Sequence, residues 1–229
     1  VELPPALPVV DMVRSVPENQ LDAVVVPAEP HELTHAEPVS VRVSAGLELL
    51  TDAGQTRLQD AMKQLQMQLT SLAQREDFDA LIKSVFGQGR ASDDAFSERV
   101  KALHDALQAH NISIDVQLLS DVHMQGAQGA YAAAHDGQPE RIYINADWLN
   151  QGGRSDWAAQ VLLEELGHAL DVRLNGQNDT AGDEGQRFAL AVSATAQELD
   201  TVLANRAQDN DHGRLILEGR EVDVEFAIA

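Results

Sequence analysis

Apolar side chains recur at spacings of three and four residues along much of the chain, which is the period of an amphipathic helix. The spacing predicts a helical segment over residues 45–73, interrupted near Gly54. It predicts further helices over residues 77–86, 92–110, 156–174 and 183–206. Helices are therefore expected to dominate the fold.

Alternating apolar and polar residues predict a smaller number of strands. The pattern is clearest in residues 112–118 and returns in residues 141–145. Residues 215–226 are typical of a β-hairpin that turns at Glu218-Gly219. Glycines punctuate the chain between the first two strands and predict a loop there that contains Tyr131. Clustered strands among many helices favour an α+β fold.

The first 44 residues differ from the rest because they contain seven of the eight prolines. Proline fixes φ and removes a backbone donor, so no regular element is expected to run far in this segment. We interpret residues 1–44 as a Pro-rich linker or extended arm, followed by a helical lead-in over residues 45–110. The alternative is one or two strands added to a sheet edge around residues 39–43.

The charge of the chain narrows the possible partners. The formal net charge is -21, and the chain has no cysteine. Nucleic acid needs a basic surface, so nucleic-acid binding is not expected. Membrane insertion is not expected either, because no apolar run approaches the roughly 20 residues that span a bilayer. An excess of carboxylates favours a divalent cation as partner, and thiolate ligands are excluded.

The most informative stretch is Val161-Leu-Leu-Glu-Glu-Leu-Gly-His-Ala-Leu-Asp171. On a helix, Glu164, His168 and Asp171 are related by i, i+4 and i+7 and therefore share one face, with Glu165 on its flank. Burying these groups without partners would be costly, and a cation bound between them would offset that cost. The alternative interpretation is a solvated helix face with a hydrogen-bonding histidine.

The spacing is similar to the zinc-peptidase signature, in which two histidines at i and i+4 hold the metal and an intervening glutamate activates water. Glu164 stands at the first histidine position, Glu165 at the base position and His168 at the second histidine position. A carboxylate ligand shifts the preference from Zn²⁺ somewhat towards harder ions such as Mn²⁺ or Ca²⁺.

The next predicted helix offers a third ligand. Glu184 follows His168 by 16 residues, and in one class of zinc peptidases a glutamate from the following helix completes the site. Asp183 would then lie beside the metal ligands or cap the helix, and Asp171 would orient His168. Residues 141–145 occupy the place of the edge strand to which an extended substrate adds, and Tyr131 is a candidate catalytic residue near the site.

Residues 126–192 resemble a domain of large secreted or surface proteins of bacteria, the RTX-type calcium-associated proteins and adhesins. The resemblance rests on the runs Gly129-Ala-Tyr131, Arg141-Ile-Tyr-Ile-Asn145, Leu163–Asp171 and Asp179-Thr-Ala-Gly-Asp-Glu-Gly185. It covers about a third of the chain. The domain is similar to a divergent gluzincin-type metallopeptidase. The run Gly167-His-Ala-Leu-Asp171, followed by Asp183-Glu-Gly-Gln-Arg-Phe-Ala189, also resembles the lethal-factor-like peptidases.

The resemblance implies a helix-rich zincin-like fold for a metallopeptidase-like domain over residues 111–229, with a small mixed sheet, an active-site helix and a C-terminal hairpin. It implies secretion or surface attachment in a bacterium. It also implies hydrolysis of a peptide or protein substrate, with the chain's own polypeptide as one candidate. Glu165 would be the base, and Glu164, His168 and Glu184 the zinc ligands. The alternatives are a non-catalytic calcium-binding or structural module of a large adhesin, and an interaction domain that uses the substrate edge.

Overall fold

The computed structural model describes residues 40–87, 93–109, 111–152, 155–176, 180, 182–194 and 212–227. Of the predicted Pro-rich arm, residues 1–39 lie outside the described residues. The description that follows concerns the described residues between 40 and 227.

Seven α-helices lie in the described ranges, and most begin where a side chain can cap them. Thr51 accepts a hydrogen bond from the Gly54 amide, and Asp93 and Asp183 accept bonds from Ala95 and Gln186. A short 3₁₀ turn, Leu47–Leu49, precedes the first helix. The helices are α1 (Asp52–Ala73), α2 (Phe78–Phe86), α3 (Asp94–Gln108), α4 (Asp121–Met124), α5 (Ala146–Asn150), α6 (Ser155–Asn175) and α7 (Glu184–Ser193).

Six strands form one mixed sheet in the order β1-β2-β4-β3-β6-β5. The strands are β1 (Ser40–Ala45), β2 (Ser113–Leu119), β3 (Gly129–Ala132), β4 (Arg141–Asn145), β5 (His212–Leu217) and β6 (Arg220–Ala227). The pairs β1–β2 and β2–β4 are parallel, whereas β4–β3, β3–β6 and β6–β5 are antiparallel. The molecule is therefore α+β, as predicted, with a C-terminal strand pair.

The two faces of the sheet are covered differently. The larger core packs α1, α2, α3, α6 and α7 against one face, to which β2, β3, β4 and β6 all contribute apolar side chains. A smaller core contains Met124 of α4 together with Ala130, Leu215 and Val224 of the strands. Helices α1 and α3 thus pack with α6 in one hydrophobic core, so the lead-in over residues 45–110 is built into the fold.

Three predictions of local structure change. Strand β4 was expected at an edge, but it lies between β2 and β3, so its backbone is already paired on both sides. Tyr131 was expected in a loop but lies in β3, whose Gly-Ala-Tyr-Ala sequence carries little strand propensity. Residues 40–44 were expected in the Pro-rich arm but form most of β1 at the edge of the sheet, which agrees with the alternative considered for residues 39–43. The helix predicted to reach residue 206 is described only to Ser193, and residues 195–211 lie outside the described residues.

No helix in the described ranges is long and apolar enough to cross a membrane.

Candidate metal centre

Helix α6 buries the ionisable side chains that the sequence analysis selected. Glu164, Glu165, His168 and Asp171 are between 0% and 8% exposed. The helix lies between the sheet and α7, so a face that would be solvated on a surface helix is enclosed here. Charged groups in such a place must be paired, protonated or bound to an ion.

His168 lies at the centre of a three-element cluster. Its Nδ1 atom is 2.9 Å from Oε1 of Glu184, the first residue of α7, and 2.7 Å from Oε2 of Glu225, on β6. One ligand atom from each of the three residues lies within 4.8 Å of the other two. Among the described residues, this is the group of histidine and carboxylate side chains that could hold a metal ion.

Burial and pairing set the charge state of this cluster. Burial lowers the pKa of His168, but hydrogen bonds to Glu184 and Glu225 outweigh that effect and hold the pKa well above its usual value. Burial raises the pKa of Glu184 to about 7, against the opposing effect of its hydrogen bond to His168.

Glu165 is the most enclosed carboxyl group of the site. It is fully buried, and its Oε1 accepts a hydrogen bond of 3.2 Å from the backbone amide of Ala227, on β6. Its Oε2 is buried without a hydrogen-bond partner. Burial raises the pKa of Glu165 well above its usual value, and the charge of His168 opposes that rise. A carboxyl group with a raised pKa and one unengaged oxygen is suited to proton transfer.

Two glycines make the close packing of the site possible. A Cβ atom at Gly185 would lie 2.4 Å from Nε2 of His168, and one at Gly129 would lie 2.3 Å from Oε1 of Glu165. Both distances are below any normal carbon contact, so a side chain at either position would displace a site residue. These glycines belong to the Gly-Ala-Tyr and Asp-Glu-Gly runs on which the sequence resemblance rests. The close packing around Gly129 and Gly185 explains why each position has no side chain.

The predicted ligands are only partly brought together. The structure places Glu184 against His168, as the ligand prediction requires, but the cluster contains Glu225 where Glu164 was expected. Glu164 is buried on α6, next to Glu165, whose pKa its charge raises. The i, i+4 spacing puts Glu164 and His168 on one face of α6, but Glu164 is not a member of the group formed by His168, Glu184 and Glu225.

The two predicted supporting aspartates have other contacts. Asp171 accepts hydrogen bonds from Asn175 and from the backbone amide and hydroxyl of Thr180, and its charge raises the pKa of Glu184. Asp183 caps α7, with its Oδ1 accepting from the Gln186 amide at 2.6 Å. Capping was the alternative considered for Asp183, and the capping bond fixes the start of the helix that carries Glu184.

Tyr131 lies beside the cluster, in register with Glu225 on the neighbouring strand. Its hydroxyl donates a 3.2 Å hydrogen bond to Glu140, which forms an ion pair with Arg173 of α6. Burial raises the pKa of Tyr131, so the phenol is neutral. Tyr131, His212 and Glu225 line a pocket of about 430 Å³. Glu225 therefore connects the buried cluster with an open pocket.

Glu225 is the site residue that the sequence analysis missed. Val222, Val224 and Phe226 alternate on one face of β6 and pack in the smaller core. The alternation places Glu225 and Ala227 on the opposite face, towards α6. A carboxylate on that face was the available signal, but the pairing of β6 with β3 is a long-range contact that periodicity does not reveal.

Comparisons of the chain with protein-family models, with curated proteins and with solved structures find no match. The functional argument therefore rests on the geometry and chemistry of the site.

The group formed by His168, Glu184 and Glu225 could hold a metal ion. Ligand atoms around tetrahedral Zn²⁺ are about 3.3 Å apart, given metal–ligand bonds of about 2.0–2.1 Å. The distances from His168 Nδ1 to the two carboxylate oxygens are 2.7 and 2.9 Å. Each distance would have to lengthen by about half an ångström to admit the ion. A divalent ion in place of the His168 proton would add positive charge between the two carboxylates. The imidazole donor suits Zn²⁺, whereas the two carboxylate donors also suit harder ions such as Mn²⁺ and Ca²⁺.

Proposed function

We propose that this chain is a metal-dependent, peptidase-like hydrolase module that binds Zn²⁺ through His168, Glu184 and Glu225. The convergence of three ligand atoms from α6, α7 and β6 beside the fully buried Glu165 is the observation that carries the proposal. An ion-binding group and a carboxyl group suited to proton transfer are the two requirements of metal-assisted hydrolysis.

The proposed reaction is hydrolysis of a peptide bond. When bound, the metal would act as a Lewis acid on the scissile carbonyl. In its ionised form, Glu165 takes a proton from the attacking water on Oε2, the oxygen without a hydrogen-bond partner, and passes it to the leaving amine. The bond from the Ala227 amide holds the other oxygen and so fixes the orientation of the carboxyl group. Tyr131, held by Glu140, is placed to contact substrate from the pocket side.

The proposed setting is a large secreted or surface protein of a bacterium, and it rests on the sequence resemblance. The substrate class is a peptide or protein, with a segment of the chain's own polypeptide as one candidate. Acidity and the lack of cysteine are compatible with this setting.

Metal analysis and peptide cleavage test the proposal together. Purified protein dialysed against Zn²⁺ is expected to retain one equivalent, and His168→Ala is expected to lose it. Cleavage of an unstructured peptide library, followed by mass spectrometry, should depend on Zn²⁺ and on Glu165. Glu164→Gln is the matched control, because Glu164 is the adjacent buried glutamate outside the ligand group. Wild-type protein that retains no metal would contradict the proposal.

A specific observation favours a second candidate, a non-catalytic module whose fold is stabilised by a bound metal ion. The third ligand comes from the C-terminal hairpin, so a bound ion would tie the end of the chain to α6 and α7. In this case Zn²⁺ or Ca²⁺ would raise the melting temperature, and no peptide would be cleaved under any condition. Metal-dependent stability combined with absent cleavage therefore separates the second candidate from the first.

A further inference from the structure

Strand β6 touches the candidate site in two ways at once. Its residues Glu225, Phe226 and Ala227 pair with Tyr131, Ala130 and Gly129 of β3. From the same strand, the Glu225 carboxylate reaches His168 and the Ala227 amide donates to Glu165. One short segment thus fills the edge of β3 and contacts both chemically important residues of α6.

The pairing has a consequence for substrate access. An extended peptide binds beside a sheet by adding as a further strand to a free edge. Strand β3 has β4 on one side and β6 on the other, so neither side is free in this structure. A peptide that lay along β3 over His168 and Glu165 would need the position that β6 holds.

We propose that the C-terminal hairpin β5–β6 is a removable intramolecular cover: β6 occupies the β3 edge in place of a peptide, and the site accepts a peptide when β6 leaves β3. The inference rests on the proposed function in that it names how the same site is regulated. When β6 leaves, Glu225 leaves with it, so the three-residue group of His168, Glu184 and Glu225 belongs to the covered state, and the position beside His168 and Glu184 opens to a peptide carbonyl. Glu165 at the same time loses its bond from Ala227.

The packing of the hairpin makes its release feasible. Only Leu215, Val224 and Ala227 of its described side chains are buried, whereas the helical core buries dozens of apolar residues. Strand β5 is the last strand in the order, so among the described residues the hairpin pairs with the rest of the sheet through β6. Beyond that pairing, Gln125, which follows α4, donates a 2.7 Å hydrogen bond to the Arg214 carbonyl of β5. Elements with few buried contacts open at a lower free energy than the core of a domain.

A reversible crosslink between β3 and β6 tests the proposal in the full chain. Ala130 and Phe226 are directly paired and belong to the smaller core, away from α6. Opposed residues of antiparallel strands are about 4.5–5.5 Å apart, within the range that a disulfide spans. The chain has no cysteine, so the double variant Ala130→Cys/Phe226→Cys would contain a single, defined disulfide when oxidised.

The probe is a fluorescent synthetic peptide with the sequence of β6, Arg-Glu-Val-Asp-Val-Glu-Phe-Ala. The reduced double variant is expected to bind the peptide, and oxidation should weaken binding at least tenfold. The single variant Phe226→Cys controls for the oxidant and should be unaffected. Equal binding in the oxidised and reduced forms, or no binding in either form, would overturn the proposal.

Cleavage measured in the same samples separates this proposal from the proposed function. Peptide binding that the disulfide controls, without any cleavage, would contradict hydrolysis and leave the removable cover standing. Cleavage that is indifferent to the disulfide would contradict the cover and leave hydrolysis standing.

A second variant keeps the test decisive if the double variant does not fold. Val224→Ala removes two methyl groups from the smaller core and should loosen the hairpin without touching α6. It is expected to bind the β6 peptide at least threefold more tightly than the wild type. Val122→Ala is the same chemical change at a side chain that is 84% exposed, and it should leave binding unchanged. Unchanged binding by Val224→Ala would count against a removable hairpin.

Discussion

The substitution Glu165→Gln separates the chemistry of the site from its packing. Glutamine has the shape of a protonated glutamate, and its carbonyl oxygen can accept the same bond from the Ala227 amide. The free energy of unfolding is therefore expected to stay within about 1 kcal/mol of the wild type at acidic pH, the size of one net hydrogen bond. An amide cannot take a proton from water, so cleavage should fall by about 100- to 10,000-fold.

The pH dependence of stability provides an independent measurement on the same variant. The pKa of Glu165 is raised in the folded state, so the folded protein holds that proton to a higher pH than the unfolded chain does. As the pH rises above the unfolded value of 4.5, the unfolded state is favoured and the wild type loses stability. Glu165→Gln removes this group, so its stability in metal-free buffer should decline less with rising pH.

The assays are peptide cleavage with saturating Zn²⁺ and urea unfolding across a series of pH values. Glu164→Gln, made at the adjacent residue, should retain cleavage within a few-fold. A Glu165→Gln variant that cleaves at the wild-type rate would refute the assignment of the base. A variant with normal folding, normal metal content and lost cleavage would support it.

Three further predictions concern the same cluster. Glu225→Gln should weaken Zn²⁺ affinity at least about tenfold in calorimetry, whereas Glu221→Gln on the surface of the same strand should not; equal affinities would remove Glu225 from the ligand set. The pKa of Glu184 rises from 4.5 to about 7 on folding, so metal-free protein should lose on the order of 3 kcal/mol of stability as the pH rises between those two values. Zn²⁺ should restore that stability. A free energy of unfolding that does not change over this pH range would contradict the buried cluster. Gly185→Ala places a methyl group against His168 and should cost about 1–3 kcal/mol by thermal melting, and an unchanged melting temperature would show that α7 is not so closely packed.

The elements of the fold were largely predictable because their signals are local. The three- and four-residue spacing predicted α2, α3 and α6, and it predicted α1 except that Gly54 lies inside the helix and not at an interruption. The alternation in residues 215–226 predicted the hairpin that the structure contains. Strand β3 was missed because glycine and alanine favour no strand. It forms because β4 and β6 pair with it on both sides.

Within the site, the sequence by itself determined that Glu164, Glu165 and His168 share a helix and that Glu184 begins the next one. Helical geometry follows from residue spacing, and a helix start follows from its capping residue. Only the tertiary structure decided that Glu225 replaces Glu164 beside His168 and that β6 covers the β3 edge. Both outcomes depend on the pairing of two strands almost one hundred residues apart. Such pairing is settled by the packing of whole faces, which no local pattern encodes.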